Sequence, residues 1–158
     1  MVIDWHPDAP RCDCGNTGCL EALASGSAVA GSARQRRVQA STSLASLPED
    51  AVTSEAVFQA ARRGDALANQ IVDEVAQALA VGLANILHLL DPDLLVLGGG
   101  VTQGLVALDR LPEIQALMRQ RAMSDRYRQC PLVPAELGDA AGLVGAACLA
   151  WQAAAGGA

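Results

Sequence analysis

The spacing of apolar positions changes several times along the chain, and each change marks an element. From Leu20 to about Val38 the period is helical, broken at Ser25-Gly26-Ser27, where a serine hydroxyl can cap a second helix. Residues 40–53, with Ser, Thr and Pro48, read as a linking loop. Thr53 or Ser54 can cap a helix running to Arg63, which Gly64-Asp65 ends while starting the next. Ile71, Val75, Leu79, Leu83, Ile86 and Leu90 then recur at steps of three and four, predicting one long amphipathic helix. At about 1.5 Å per residue it spans roughly 35 Å. Asp91-Pro92-Asp93 stops it, and the unbroken apolar run Leu94–Leu97 predicts a strand covered on both faces. Gly98-Gly99-Gly100 follows directly. Leu105, Leu108, Ile114 and Leu117 predict helical structure, with Pro112 near a helix start. Residues 130–133 form a second strand candidate, weakened by Pro131 and Pro134. A turn over 138–142 and an apolar helix from Leu143 to Trp151 close the chain. The class is therefore α/β and helix-rich, with too few strands for a sheet that the long helix could cover.

Composition narrows the function. Hydrophobic residues are 51% of the 158, which excludes a mainly disordered chain. Aromatic residues are only 3%, so Ala, Leu and Val must supply the core, and a stacking surface for nucleic acid has little material. The net charge of -6 and the pI near 4.7 also argue against a nucleic-acid partner. All 11 basic side chains are arginines, which excludes a Schiff-base lysine and a G-x-x-x-x-G-K-[ST] phosphate loop within these residues. The run Arg34, Arg36, Arg37 reads as a solvated helix face. No unbroken apolar run approaches ~18 residues, and no basic-then-apolar segment opens the chain, so no membrane partner and a cytoplasmic location are expected.

Chemistry concentrates in the first 21 residues. Cys12, Cys14 and Cys19 lie within eight positions, an odd set that cannot close as disulfides, whereas Cys130 and Cys148 stand alone in apolar surroundings. Thiolates so spaced suit zinc, and Gly15 and Gly18 allow the tight turn that would bring them together; reduced structural cysteines are the alternative. Three sulfurs leave one of zinc's four positions open, and His6 is the nearest candidate in sequence.

Three segments carry a family resemblance. Arg11-Cys12-Asp13-Cys14-Gly15-Asn16-Thr17-Gly18-Cys19-Leu20-Glu21 closely resembles the C-x-C-G-x-x-G-C-x-E signature of the ROK family, which groups bacterial sugar kinases such as glucokinase with sugar-responsive repressors. Leu89 to Val101 is similar to the family's "LDP, strand, GGG" segment, and Leu137 to Ala147 to the start of its C-terminal helix. The resemblance implies an actin-like ATPase fold with ribonuclease-H-like lobes, of which this chain is the later part of the second. Its divisions would be a zinc knuckle over 1–21, a helical segment over 22–93, and the strand, glycine loop and closing helices over 94–158.

Site roles follow from the same resemblance. Cys12, Cys14 and Cys19 match the ligands of a structural zinc. Glu21 matches a glutamate that accepts hydrogen bonds from sugar hydroxyls, although a helix-start acid is also a plain structural choice. Gly98, Gly99 and Gly100 match an adenosine contact, although a glycine turn after a strand is common for structural reasons. A hexose and ATP with Mg²⁺ would be the partners of the complete enzyme, and a homodimer is a further implication. The family's histidine ligand falls at Met1, Val2 or before, and its phosphate-binding D-x-G-x-T and general-base N-D-x-N-like segments lie upstream of the cysteines; none precedes Cys12 here. The expectation is a binding half that is inactive alone. The alternatives are a repressor's sugar-sensing domain and an inactive truncated product, and the hydrophobic content may then include surface that another half covers.

Overall fold

The computed structural model describes residues 1–156, Asp139 through its backbone only. An irregular hairpin leads into α1 (Leu20–Ala24) and α2 (Gly26–Arg36), and two 3-10 turns precede α3 (Ser54–Arg62) and α4 (Ala66–Leu90). There follow β1 (Leu95–Leu97), α5 (Gly100–Ala107), α6 (Leu111–Arg121), α7 (Asp125–Gln129), β2 (Leu132–Pro134) and α8 (Ala141–Ala155). The helix-rich α/β class is as expected. The short α7 is new, started by the Ser124 hydroxyl, which accepts from Tyr127 N–H at 3.5 Å.

Helix starts follow the side-chain caps read from the sequence. The hydroxyl of Ser25 accepts from Ala28 N–H, that of Thr53 from Ala56 N–H, and the carboxylate of Asp65 from Ala68 N–H at 3.1 Å. Asp91, with a left-handed φ of 44°, turns the chain out of α4.

α4 forms the axis of the core, with α1, α2, α3 and α6 packed around it. Its burial is wider than the single expected stripe. Ile71, Val75 and Leu83 are buried, but so are Ala68, Val72, Ala76 and Ala80, each at 0% exposure, whereas Leu90 lies in solvent. Small alanines let neighbouring helices approach on several sides, and the last turn of α4 extends beyond them. By length and composition alone α4 could cross a membrane, but 56% of its most apolar window is buried in the protein, as befits a core helix.

β1 and β2 pair in parallel, with Leu95 opposite Leu132, Val96 opposite Val133 and Leu97 opposite Pro134. The strand expected to be covered on both faces is covered on one. Leu95 and Leu132 are buried, while Val96 on the opposite face is 55% exposed, because no element among the described residues lies over it. α8 likewise has no buried residue, and its Trp151 is 79% exposed. The apolar content of the strand and of the closing helix thus includes uncovered surface.

Candidate functional site

Backbone bonding shapes the cysteine turn. Cys12 N–H donates to Asn16 O at 2.8 Å, Gly15 N–H to Cys12 O at 2.9 Å and Gly18 N–H to Pro10 O at 2.8 Å. Gly18 has no substitute here, since φ is +67° and a Cβ would stand 1.7 Å from the carbonyl oxygen of Asp4. The ligand atoms of Cys12, Cys14 and Cys19 consequently lie within 4.8 Å of one another. Cys14 and Cys19 sulfurs are 3.6 Å apart, close to the ~3.8 Å edge of a tetrahedron with ~2.3 Å zinc–sulfur bonds. The Asn16 N–H, followed by the neighbouring thiols, holds the Cys14 thiol down at about 7. Loss of solvent, then hydrogen bonding to the other two sulfurs, pushes Cys19 up to about 11. Three convergent soft donors fit a zinc-type cation in type and spacing and supply three of the four ligands it takes.

His6 does not join them. Its Nδ1 accepts from Asp8 N–H at 3.3 Å, its side chain is exposed, and it lies outside the cysteine group. A short local turn engages it instead. The string Asp13-Cys14-Gly15-Asn16-Thr17 also spells D-x-G-x-T, but it is the tip of the cysteine hairpin, closed by the Arg11–Thr17 bridge.

Glu21 lies one residue into α1, where its Oε2 stands 3.8 Å from Cys12 Sγ. It lines a hollow of about 200 Å³ with Arg11, Asp13, Ser25 and Ser27. This is a small concave surface of charged and hydroxyl groups, a chemistry matched to a polyhydroxyl ligand.

The glycine run divides among three jobs. Gly98 follows β1 and its carbonyl accepts from Thr102 Oγ1 at 3.0 Å; Gly99, with φ +93°, makes the turn; Gly100 is the first residue of α5. Beside this turn, a cleft of about 390 Å³ opens between α3 and α5, lined by Glu55, Phe58, Gln59, Arg62, Gly100 and Gly104 among others. Gly104 matters because a Cβ there would fall 2.3 Å from the Phe58 ring.

The two hollows adjoin across Gly26. Its neighbours Ser25 and Ser27 line the Glu21 hollow, while its own Cβ position is 3.3 Å from Oγ of Ser54, which lines the α3–α5 cleft. The sequence reading missed Gly26, Phe58, Gln59 and Gly104 as site residues. Glycines at the start and in the middle of helices were the available signal. The basic run also departs from a solvated face: Arg37 donates to the carbonyls of Leu44 and Leu47, Arg34 to that of Glu49, and Arg36 pairs with Glu74 at 2.7 Å. Arg34 and Arg37 thus tie the loop after α2 to that helix, and Arg36 ties α2 to α4.

Comparison with known proteins gives a consistent result. The description "ROK family" belongs to the sequence family whose model matches residues 2–153. A glucokinase of Streptomyces coelicolor is 34% identical over 156 residues, covering 94% of this chain and 48% of that protein. A DNA-binding transcriptional dual regulator of Escherichia coli is 30% identical over 135 residues, covering 85% of this chain and 32% of the regulator. Among solved structures, a ROK family glucokinase from Streptomyces griseus in complex with glucose and AMPPNP superposes with a TM-score of 0.74 at 33% identity, covering 96% of this chain and 50% of that one. The chain thus spans less than half the length of these curated relatives. Sequence, cysteine geometry and fold agree that the chain belongs to the ROK family.

Proposed function

We propose that this chain forms the zinc-, sugar- and adenosine-binding half of an ATP-dependent hexose kinase of the glucokinase type. The observation that carries the reading is the adjacency of the two hollows across Gly26. Phosphoryl transfer needs acceptor and donor held side by side, since positioning supplies most of the catalysis. Cys12, Cys14 and Cys19 hold a structural zinc that keeps the hairpin rigid beside the sugar. Glu21 orients the hexose by accepting from its hydroxyls, and the turn at Gly98, Gly99 and Gly100 lets adenosine lie against the backbone. The resemblance assigns the general base and the phosphate-binding segment to sequence upstream of the cysteines, so in this reading the region from Cys12 to Gly100 supplies binding and not the catalytic base.

A second reading has support from the regulator that shares 30% identity over 135 residues, namely a sugar-sensing domain with no use for nucleotide. Calorimetric titration of the chain with glucose and with ATP separates the two. Binding of both supports the kinase half; binding of glucose alone supports the sensor; binding of neither leaves an inactive product and overturns the proposal. Metal content measured on reduced protein tests the zinc site, and much less than one equivalent would count against it.

A further inference from the structure

The cleft between α3 and α5 carries a polar arrangement that the fold does not require. On the α5 side, Gly100 bares the backbone at the start of the helix, Gln103, Ala107 and Leu108 line the wall beyond it, and the Phe58 ring packs against Gly104. On the α3 wall Gln59 Nε2 donates to Glu55 Oε1 at 3.2 Å. A carboxylate only accepts, so this bond fixes which end of the Gln59 amide faces Glu55. The amide is left with its carbonyl oxygen and one N–H for anything that enters the cleft.

We propose that Gln59 reads the base of the nucleotide in this cleft, with Glu55 as the positioning residue that sets the amide's orientation, so that the site selects adenine over guanine. The inference rests on the reading that the glycine turn meets adenosine. Adenine presents an amino donor at N6 beside an acceptor at N7, and an amide can meet both at once; guanine presents acceptors at O6 and N7, so its O6 would face the Gln59 carbonyl. Ala107, Leu108, the backbone at Gly100 and the edge of the largely buried Phe58 ring supply the apolar part of the cleft, as a purine pocket needs. The neighbouring hollow beyond Gly98 and Gly99 is lined by Leu97, Val106, Pro134 and Ala135 together with Thr102 and Gln103.

The test uses the full chain and its single phenylalanine. Labelled with 4-fluorophenylalanine, the protein has one fluorine signal, at Phe58, which is titrated with adenosine and with guanosine. Adenosine is expected to shift the signal and to bind roughly 5- to 100-fold more tightly than guanosine, the range for one good bidentate pair. Gln59→Ala is expected to bring the two nucleosides within about twofold of one another. Glu55→Gln, which can donate or accept and so frees the amide to flip, is expected to lower the preference while largely sparing adenosine affinity. Both side chains are exposed, and circular dichroism confirms that the variants fold. If adenosine binds without moving the Phe58 signal, or if the preference survives Gln59→Ala, the proposal falls and the nucleotide reading stands. If the unaltered chain binds neither nucleoside, both fall.

Discussion

Cys12 Sγ lies 3.8 Å from Glu21 Oε2, so one side chain of the cysteine cluster also touches the carboxylate that lines the polar hollow. The cluster and the hollow therefore share a boundary, and disturbance of one should register in the other. Glu21→Gln should weaken glucose binding about 10- to 100-fold, the loss expected when charge-assisted hydrogen bonds are removed, and leave metal content unchanged. Cys12→Ser should lower both. Calorimetry and metal analysis on the same samples check the pair, and retention of full glucose affinity in Cys12→Ser would separate the two sites.

Gly15 and Gly18 both have positive φ, but only Gly18 faces backbone at short range. Gly15→Ala should cost about 1 kcal/mol, the usual penalty for a side chain in left-handed backbone. Gly18→Ala should cost clearly more, because the Asp4 carbonyl must move as well. Urea denaturation of the two variants gives the order, and equal losses would contradict it.

Asp65 caps the long core helix and ties the preceding loop to it. Partial burial alone would raise its pKa, but the Ser43 and Ala68 N–H groups and the Ser43 and Thr42 hydroxyls outweigh this and lower it from 3.8 to about 2. A depressed carboxylate stabilises the fold fully above its unfolded pKa of ~3.9, and loses that contribution as pH falls through about 2. Asp65→Ala should cost about 1–2 kcal/mol at pH 7. The gap from the parent protein should narrow below pH 4, as measured by denaturant midpoints across pH.

Gly104 and Phe58 form a tight pair in which a methyl group has no room. Gly104→Ala should destabilise by about 1–3 kcal/mol through overpacking, and Phe58→Leu in the same chain should recover part of the loss. A double-mutant cycle of thermal or urea unfolding measures the coupling. Gly82→Ala is the contrast, because the nearest atom is the flexible end of Leu20 at 2.7 Å, and a smaller loss is expected.

Much of the architecture was legible from local chemistry. Ser25, Thr53 and Asp65 marked helix starts because a short polar side chain can satisfy the free N–H groups of the first turn, and Asp91-Pro92 marked an end because proline cannot continue a helix. The cysteine cluster was legible for the same reason, since its spacing and glycines act within eight residues. The covered face of β1, the multi-sided burial of α4 and the carbonyl-binding role of Arg37 were not, because each depends on which distant segment lies opposite.

By itself, then, the order of residues determined the starts of α2, α3 and α4, the end of α4, the convergent cysteine turn and the family, all of which are short-range patterns. Only the tertiary structure decided that Gly26 stands between the Glu21 hollow and the α3–α5 cleft, and that Phe58 fills the space left at Gly104. The physical reason is that adjacency across a core is set by packing of side chains far apart in sequence, where a missing methyl group on one helix becomes meaningful only once the neighbouring helix is in place.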